Sequence, residues 1–386
     1  MIVSNPFSPT LGKTPPLLVG REDVLEEFDD ALASGPGAHE RVTVLTGMRG
    51  IGKTVMLNEL ERLARERYGW IVFSETGTIG FMDRLRDAVV RELLRQDPGA
   101  RTRLTDLGLF GVSIGVSHEA PTLPPVDLRG ALSGLLDQLI DKAGVLGQQA
   151  AGVMITLDEL HHLRTDEIRQ LAATIQHLIR EDRQICLVMA GIPAAVRPLL
   201  ASSDDSNPIT FLRRANMVTL GGVRDADVER ALQEPVEDVE ARWDPDALAA
   251  AVRACAGYPF MIQLVGRWAC RYAQGVLITP KAAAQGIAKA RRKIGALVHE
   301  PAVSDLSDVD RTFLVAMAVD DGPSLMADIA ERMGVDAQYA GVYRKRLIDA
   351  QMIESVGWGQ VDFILPYVRE YLREHVAPLI SEGGGM

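Results

Sequence analysis

Short apolar runs alternate with longer amphipathic stretches through residues 22–220 of the chain. The short runs are typical of strands buried on both faces, whereas the longer stretches repeat their apolar residues at helical spacing. The predicted strands cover residues 41–46, 70–73, 153–157, 185–190 and 217–220. The predicted helices cover 22–32, 53 to about 69, 79–96, 127–144 and a stretch that ends near 180. Strands that alternate with helices predict an α/β fold with a parallel sheet, whose ligands bind at the carboxyl ends of the strands.

One segment breaks this alternation. In residues 98–126, the apolar residues Val112, Ile114 and Val116 alternate with Ser and Gly, and three prolines follow them. This pattern predicts an insertion that contains a small hairpin.

The chain changes character after the Gly221-Gly222 pair. A helical pattern runs through residues 223–292, with predicted helices at 225–235, 244–256, 258–273 and 280–293. The last segment predicts helices at 306–319, 325–333 and 337–351, and then a hairpin at 353–365 around Gly357-Trp358-Gly359. Three helices followed by a hairpin are typical of a winged helix. The predicted domains are therefore an α/β core at 1–222, a helical lid at 223–298 and a winged helix at 299–386.

Composition narrows the class of protein. Of the 386 residues, 47% are hydrophobic and 24% are charged, as in an ordinary globular chain of two or three domains. No apolar run reaches transmembrane length, and the N-terminus has no signal-peptide pattern. Cys186, Cys255 and Cys270 lack metal-ligand spacing and predict buried thiols in a reducing cytoplasm. A net charge of −11 argues against a general polyanion-binding surface. We expect a cytoplasmic protein without a membrane partner.

The most specific motif lies at residues 47–54, which read Gly-Met-Arg-Gly-Ile-Gly-Lys-Thr between a predicted strand and a predicted helix. This is the G-x-x-x-x-G-K-[ST] pattern, whose glycines let successive backbone N–H groups turn inward around an anion. The following helix adds its positive N-terminal end. The motif therefore predicts binding of ATP and Mg²⁺, with Lys53 on the β- and γ-phosphates and the Thr54 hydroxyl on the metal. The nucleotide-binding residues expected from it are Gly47, Arg49, Gly50, Ile51, Gly52, Lys53 and Thr54.

A pair of acidic residues ends the predicted strand at 153–157. Asp158 at the tip of a buried strand can support the Mg²⁺ that bridges the phosphates, and Glu159 beside it can polarise the attacking water as a general base. His161 and His162 follow closely, but adjacent histidines are poor chelators of one metal ion and no third ligand is evident. We therefore predict a structural role for the two histidines.

Together, the two nucleotide motifs, the helical lid and the terminal winged helix resemble AAA+ and related STAND P-loop ATPases. The resemblance covers nearly the whole chain and is nearest to the origin-recognition initiator ATPases and their bacterial relatives. Residues 15–22, Pro-Pro-Leu-Leu-Val-Gly-Arg-Glu, are similar to the lead-in segment of that group, which lines the adenine pocket. The resemblance therefore assigns Val19, Gly20 and Arg21 to nucleotide binding.

Two departures from the AAA+ pattern bear on turnover. The end of the fourth predicted strand reads Met189-Ala190-Gly191-Ile192, where AAA+ proteins usually carry a polar residue that positions water. The lid motif Gly257-Tyr258-Pro259-Phe260 lacks the arginine that reaches the γ-phosphate in initiators. It resembles instead a STAND motif whose proline, here Pro259, packs on adenine. The resemblance thus implies an ATPase that hydrolyses slowly or holds its nucleotide as a switch.

The resemblance also bears on partners. AAA+ rings place an arginine finger near the position of Arg213 and Arg214, which implies a homo-oligomer in which these arginines act on a neighbouring subunit's phosphate. Residues 300–386 carry 7 Lys and Arg against 15 Asp and Glu. Because phosphate contacts supply most non-specific DNA affinity, this balance disfavours DNA. Two functions remain open: an initiator-like switch that engages DNA, and a STAND-like signalling or assembly switch that engages proteins.

Overall fold

The computed structural model describes residues 4–10, 12–96, 126–160, 165–193, 196 and 212–377. The hairpin expected within 98–126 lies outside the described residues, except for residue 126, as do His161 and His162.

Five parallel strands form the central sheet of the core, as the sequence predicts. They are β1 (Val42–Thr46), β2 (Ile71–Thr76), β3 (Val153–Asp158), β4 (Ile185–Gly191) and β5 (Asn216–Thr219). Their order across the sheet is β2-β3-β4-β1-β5, so β1 lies between β4 and β5. Strands β1 and β4 are buried at every position. Strand β4 accordingly reads as a continuous apolar run, whereas β1 buries Thr43 and Thr46 among its apolar residues.

Helices cover the sheet on both faces and begin where the polar-apolar pattern predicts. They are α1 (Glu22–Ser34), α2 (Lys53–Tyr68), α3 (Phe81–Gln96), α4 (Leu128–Leu146) and α5 (Thr165–Arg180). Two hydrophobic cores result, one on each face of the sheet, and the one on the α2 face continues into the lid and the C-terminal segment. The five parallel strands with these flanking helices make a P-loop NTPase core.

The lid contains four main helices, α6 (Asp225–Glu237), α7 (Pro245–Cys255), α8 (Pro259–Tyr272) and α9 (Pro280–Ile294). The all-helical prediction for this segment was wrong in one respect, because β6 (Arg242–Trp243) and β7 (Leu277–Ile278) pair as a small parallel sheet. Each strand is followed by one residue, Asp244 or Thr279, and then by the proline that begins the next helix. Since a residue before proline is held extended, both segments approach the next helix in a conformation that can pair.

The C-terminal segment contains α11 (Asp308–Ala318), β8 (Ser324–Leu325), α12 (Met326–Met333), α13 (Ala337–Asp349), β9 (Ile353–Gly357), β10 (Gln360–Phe363) and α14 (Val368–His375). Strands β8, β10 and β9 form an antiparallel sheet in that order. We call residues 306–377 the C-terminal module. The predicted helices and hairpin are present; the short β8 was not predicted.

A continuous helical run joins the lid to the C-terminal module. Helix α9 passes through one π-helical turn, Gly295–His299, into α10 (Glu300–Ser304). The expected domain boundary at 298/299 falls inside this run. His299 is fully buried there, and its ring meets Tyr371 of α14 edge-on at a centroid distance of 5.5 Å. Within the described residues, neither ring nitrogen makes a hydrogen bond of standard geometry.

The three cysteines are free and buried, as predicted. Burial raises the pKa of the Cys186 thiol to about 12. None of the helices in the described ranges combines the length and apolar character needed to cross a membrane.

We expect His299 to make the lid junction sensitive to acid. Burial lowers the pKa of His299 to about 4, and the backbone of Pro366 opposes this shift only in part. A histidine in the unfolded chain has a pKa of about 6.5. The unfolded state therefore binds the extra proton first, so this contribution to stability is complete above about pH 6.5 and is lost as the pH falls to about 4. The loss is up to about 3 kcal/mol.

The measurement is urea unfolding at pH 7 and pH 5 of the wild type, His299→Phe and His375→Phe. His375 is exposed and stacks on the same Tyr371, so its variant is the control and should keep the wild-type pH dependence. A pH dependence that is identical in all three proteins contradicts the assignment to His299.

Candidate functional site

The loop that joins β1 to α2 is shaped by its glycines. In this phosphate loop (residues 47–52), Gly47, Gly50 and Gly52 have φ values of 152°, 76° and 101°, which side-chain-bearing residues rarely adopt. A Cβ at Gly47 would lie 2.8 Å from the carbonyl oxygen of Leu220. A Cβ at Gly50 would lie 2.0 Å from the hydroxyl oxygen of Tyr258. The loop is therefore pressed closely between the segment after β5 and the lid.

Lys53, the first residue of α2, points back into this loop. Its Nζ atom donates to the carbonyl oxygens of Gly47 at 2.7 Å and Met48 at 3.0 Å. Burial lowers the pKa of the Lys53 ammonium, while the nearby carboxylates of Glu159 and Asp158 partly oppose the shift. The ammonium is thus held over the loop by weak backbone acceptors that a phosphate oxygen can replace.

The metal-binding candidates Thr54 and Asp158 are in direct contact. The Thr54 hydroxyl donates to Oδ2 of Asp158 at 2.6 Å, although 104 residues separate them. Strand β3 ends at Asp158, and Glu159 then takes a left-handed φ of 59° while its N–H donates to Oδ1 of Asp158 at 2.8 Å. The turn lets the two neighbouring carboxylates serve one site, with Glu159 lining the cavity described next.

A cavity of about 440 Å³ opens beside the phosphate loop. This volume lies within the roughly 300–1,000 Å³ typical of small-molecule sites. One wall is the phosphate loop with Lys53 and Thr54, and another is the N-terminal segment (residues 4–10 and 12–20). The lid wall consists of Val223, Ala231, Pro259, Phe260, Ile262 and Gln263, and the start of the C-terminal helical run adds Leu297, Val298 and Pro301.

The N-terminal segment bridges the lid and the core. Phe7 is buried against Gly266 of α8, where a Cβ would lie 2.7 Å from its ring. Farther along, the carbonyl oxygen of Gly12 accepts from Nδ2 of Asn58 on α2 at 2.7 Å. Lys13, the residue after Gly12, lines the cavity.

The residues assigned to the adenine pocket by resemblance all lie near the cavity. Val19, Arg21 and Pro259 line it, whereas Gly20 packs beside Val223 at the edge of the lid. The guanidinium of Arg21 donates to the carbonyl oxygens of Gly20, Ile51 and Gly221, at 2.8, 3.4 and 2.7 Å. Burial lowers the pKa of Arg21. Arg21 therefore ties the N-terminal segment to the phosphate loop and to the start of the lid.

The three remaining candidate arginines differ in position. Arg213 and Arg214 are exposed ahead of β5 and are not among the described residues that line the cavity. Arg49 lines the cavity and faces Asp305 across 3.9 Å, an exposed pair that contributes little to stability.

The residues present fit a Mg²⁺-bound nucleoside triphosphate. Glycine amides and the N-terminus of α2 surround the position of an anion, and the Thr54 hydroxyl and Asp158 carboxylate are the hard oxygen donors that Mg²⁺ prefers. Among the described residues, no group of three or more His, Cys, Asp or Glu side chains could hold a metal by itself. The metal would therefore need phosphate oxygens to complete its shell.

Sequence reasoning missed two contributions to this site. The aromatic residue Tyr258 between Gly257 and Pro259 contacts the phosphate loop, and its position inside a lid motif was the available signal. The wall formed by residues 297–301 gives no signal in the sequence, because it comes from the path of α9 through the π-helical turn.

Comparison with known proteins agrees with this geometry. Residues 17–188 match the family of the AAA ATPase domain, and residues 296–372 match a domain of unknown function, DUF8462. The chain is similar in structure to a Walker-type ATPase of Pyrococcus abyssi, with 16% identity, a TM-score of 0.62 and coverage of 92% of this chain and 96% of that chain. No curated protein matches the sequence.

Two further solved structures have lower scores. The Holliday junction branch migration motor RuvB of Thermotoga maritima has 14% identity, a TM-score of 0.45 and coverage of 92% of this chain and 95% of that chain. Cdc6p from Pyrobaculum aerophilum has 15% identity, a TM-score of 0.42 and coverage of 95% and 97%.

The match of residues 17–188 to the AAA ATPase domain family confirms the predicted resemblance to AAA+ P-loop ATPases. The match to the Walker-type ATPase shows a shared fold over most of both chains.

We expect Thr54→Ala to remove most of the effect of magnesium on nucleotide binding, because it deletes a hydroxyl that can ligate the metal. The expected loss in ATP affinity with Mg²⁺ is about tenfold, with little change in the presence of EDTA. Isothermal titration calorimetry measures both. Thr54→Ser keeps the hydroxyl and should behave like the wild type, so equal losses in the two variants would argue against a metal ligand.

Proposed function

We propose that this protein is an ATP- and Mg²⁺-binding switch that hydrolyses ATP slowly. The observation that carries the proposal is the convergence of Lys53, Thr54 and Glu159 at one cavity, with Asp158 bonded to Thr54 beside it. The walls of this cavity come from the core, the lid and the first turns of the C-terminal helical run. In this proposal, the phosphate loop and Lys53 hold the phosphates, and Val19, Arg21 and Pro259 surround the base. Thr54 and Asp158 hold the metal, which would neutralise phosphate charge.

The proposed chemical step is attack of water on the γ-phosphate, which breaks the bond between the γ-phosphorus and the oxygen that bridges it to the β-phosphate, so that ADP and inorganic phosphate leave. Glu159 lies at the turn after β3, where it can accept a proton from that water. Slow turnover is supported by the surroundings of the site. The end of β4, Met189 to Pro193, has no polar side chain, and a side chain at Gly191 would meet Leu160 at 3.0 Å. Among the described residues, the arginines that line the cavity are Arg21 and Arg49, neither of which belongs to the lid.

The cavity supports a switch because three parts of the chain meet there. A ligand that contacts Pro259 of the lid, the phosphate loop and Pro301 of α10 gains different contacts when these parts move relative to one another. A ligand shifts a conformational equilibrium only through such differential contacts. The nucleotide state would thus alter the position of the C-terminal module relative to the core.

We propose a winged helix for the C-terminal module and a protein as its partner. Two of the three basic residues in the middle of α13 are engaged within the module: Arg344 donates to the Ser355 hydroxyl at 2.8 Å, and Arg346 pairs with Asp310 at 2.9 Å. The hairpin tip carries Trp358, which is fully exposed at 101%. An exposed aromatic residue on a surface short of available positive charge suits a protein interface better than phosphates.

DNA binding remains the second candidate, because three helices and a hairpin in this order suit a major-groove reader and Lys345 on α13 is exposed. The arginines ahead of β5, Arg213 and Arg214, suit a homo-oligomer in which one subunit completes the site of its neighbour.

Calorimetry with ATP and ADP in the presence of Mg²⁺ tests the nucleotide site. The wild type should bind both, and Lys53→Ala should bind at least about tenfold more weakly because it loses a charge-assisted contact to phosphate. Light scattering of both proteins with ATP then tests assembly. Absence of any heat with ATP, GTP or their diphosphates would overturn the proposed function.

We expect Glu159→Gln to keep ATP affinity while its phosphate release falls by about 100-fold or more, since the amide cannot accept the proton from water. Calorimetry gives the affinity, and release of inorganic phosphate gives the rate. Asp166→Asn, on the exposed side of α5, is the control and should retain the slow wild-type rate. A rate that Glu159→Gln leaves unchanged excludes Glu159 as the base.

For the partner, we expect fluorescence anisotropy to detect no binding of duplex DNA at low salt, with or without ATP. A net charge of −8 over residues 300–386 leaves too few phosphate contacts. Binding that weakens steeply as salt increases would instead establish the DNA-engaging alternative.

A further inference from the structure

Tyr258 connects the lid to the phosphate loop through one hydrogen bond. Its hydroxyl donates to the carbonyl oxygen of Arg49 at 2.5 Å, across 209 residues of sequence. The side chain is 1% exposed. Burial raises the pKa of the Tyr258 phenol above its ordinary value, so the hydroxyl keeps its proton and remains a donor.

The backbone on the lid side of this bond is held in place. Gly257 has a left-handed φ of 66°, and its carbonyl oxygen accepts from the Val223 N–H at 2.7 Å. A Cβ at Gly257 would lie 2.6 Å from the carbonyl oxygen of Val223. Tyr258 is the N-cap residue directly before α8, and its carbonyl oxygen accepts from the N–H groups of Met261 and Ile262. The backbone that carries the Tyr258 side chain is therefore held in place by hydrogen bonds on both sides.

The bond determines which way a peptide unit of the phosphate loop faces. The Arg49–Gly50 peptide is trans, so its N–H points opposite to its carbonyl oxygen. Because the carbonyl faces the Tyr258 hydroxyl, the Gly50 N–H faces away from Tyr258. In the part of the chain that the structure describes, this N–H donates no hydrogen bond, and Gly50 lines the cavity. Gly50 thus presents a donor of fixed direction with no protein acceptor.

We propose that Tyr258 is a positioning residue that orients the Arg49–Gly50 peptide, so that the Gly50 amide donates to a phosphate oxygen of the bound nucleotide. The inference rests on the proposed function, since it requires a phosphate in this loop. Tyr258 does not itself line the cavity, unlike its neighbours Pro259 and Phe260, so it acts through the loop. Without the hydroxyl, the peptide can rotate and the amide loses its direction.

Tyr258→Phe removes only the hydroxyl and tests this role. The variant should bind ADP with Mg²⁺ about fivefold more weakly than the wild type, as expected for one lost hydrogen bond. Its affinity for adenosine, which carries no phosphate, should stay within about twofold, measured by competition against fluorescent ADP. A role that is merely structural would weaken the two ligands equally.

Tyr68→Phe is the matched control. Its hydroxyl also bonds within the protein, to Asp29 at 2.7 Å, but that bond joins α1 to α2 outside the cavity. The control should leave both affinities unchanged. An ADP affinity that Tyr258→Phe does not alter, an equal loss for adenosine, or a Tyr258→Phe protein that does not fold would each overturn the inference. If the wild type binds ADP and both variants bind it with the same affinity, only the role of Tyr258 is refuted. A wild type that binds no nucleotide refutes the proposed function as well.

Discussion

The site depends on the close approach of the phosphate loop, the segment after β5 and the start of the lid, with glycine at each point of contact. The phosphate loop passes under the Leu220 carbonyl at Gly47 and under the Tyr258 side chain at Gly50, and Gly257 in turn packs on Val223. Added Cβ atoms at these glycines would lie 2.8, 2.0 and 2.6 Å from those neighbours. Real Cβ atoms do not tolerate such distances, so the core and the lid can meet in this way only with glycine at each contact. At Gly47 and Gly257 the neighbour is a backbone carbonyl oxygen, so a larger residue at either position would force the two segments apart.

This contact concentrates polar groups in a small buried space, where each needs a partner. Lys53 uses the carbonyl oxygens of Gly47 and Met48, and Thr54 uses Asp158. The carbonyls are neutral acceptors, so a phosphate oxygen would give the ammonium a stronger, charge-assisted bond. Likewise, a divalent cation between Thr54 and Asp158 would relieve the repulsion between Asp158 and Glu159. The hydrogen bonds that Lys53 and Thr54 make within the protein can thus be replaced by stronger interactions with a nucleotide and a metal.

The sequence predicted much of this because its signals are local. The apolar run of β4 identifies a buried strand of a parallel sheet, and the glycine spacing with Lys53 and Thr54 identifies an anion site between a strand and a helix. The strand pairing of β6 with β7 was missed because it joins residues more than 30 positions apart, and each strand has only two residues. The contact of Tyr258 with Arg49 was missed for a similar reason: nothing in either segment specifies its partner. Long-range contacts follow from how the lid packs, which a local pattern does not encode.

The helical run that continues from α9 brings residues beyond the core and the lid into contact with the cavity. The helix continues through the π-helical turn into α10, so that Leu297, Val298 and Pro301 form part of the cavity wall. The same turn places His299 against Tyr371 of α14, on the side of the C-terminal module. A π-turn adds a residue to one helical turn and changes which residues face each side. One stretch of five residues therefore contacts the cavity and the C-terminal module at once, so a ligand in the cavity would touch the same stretch that packs on the module.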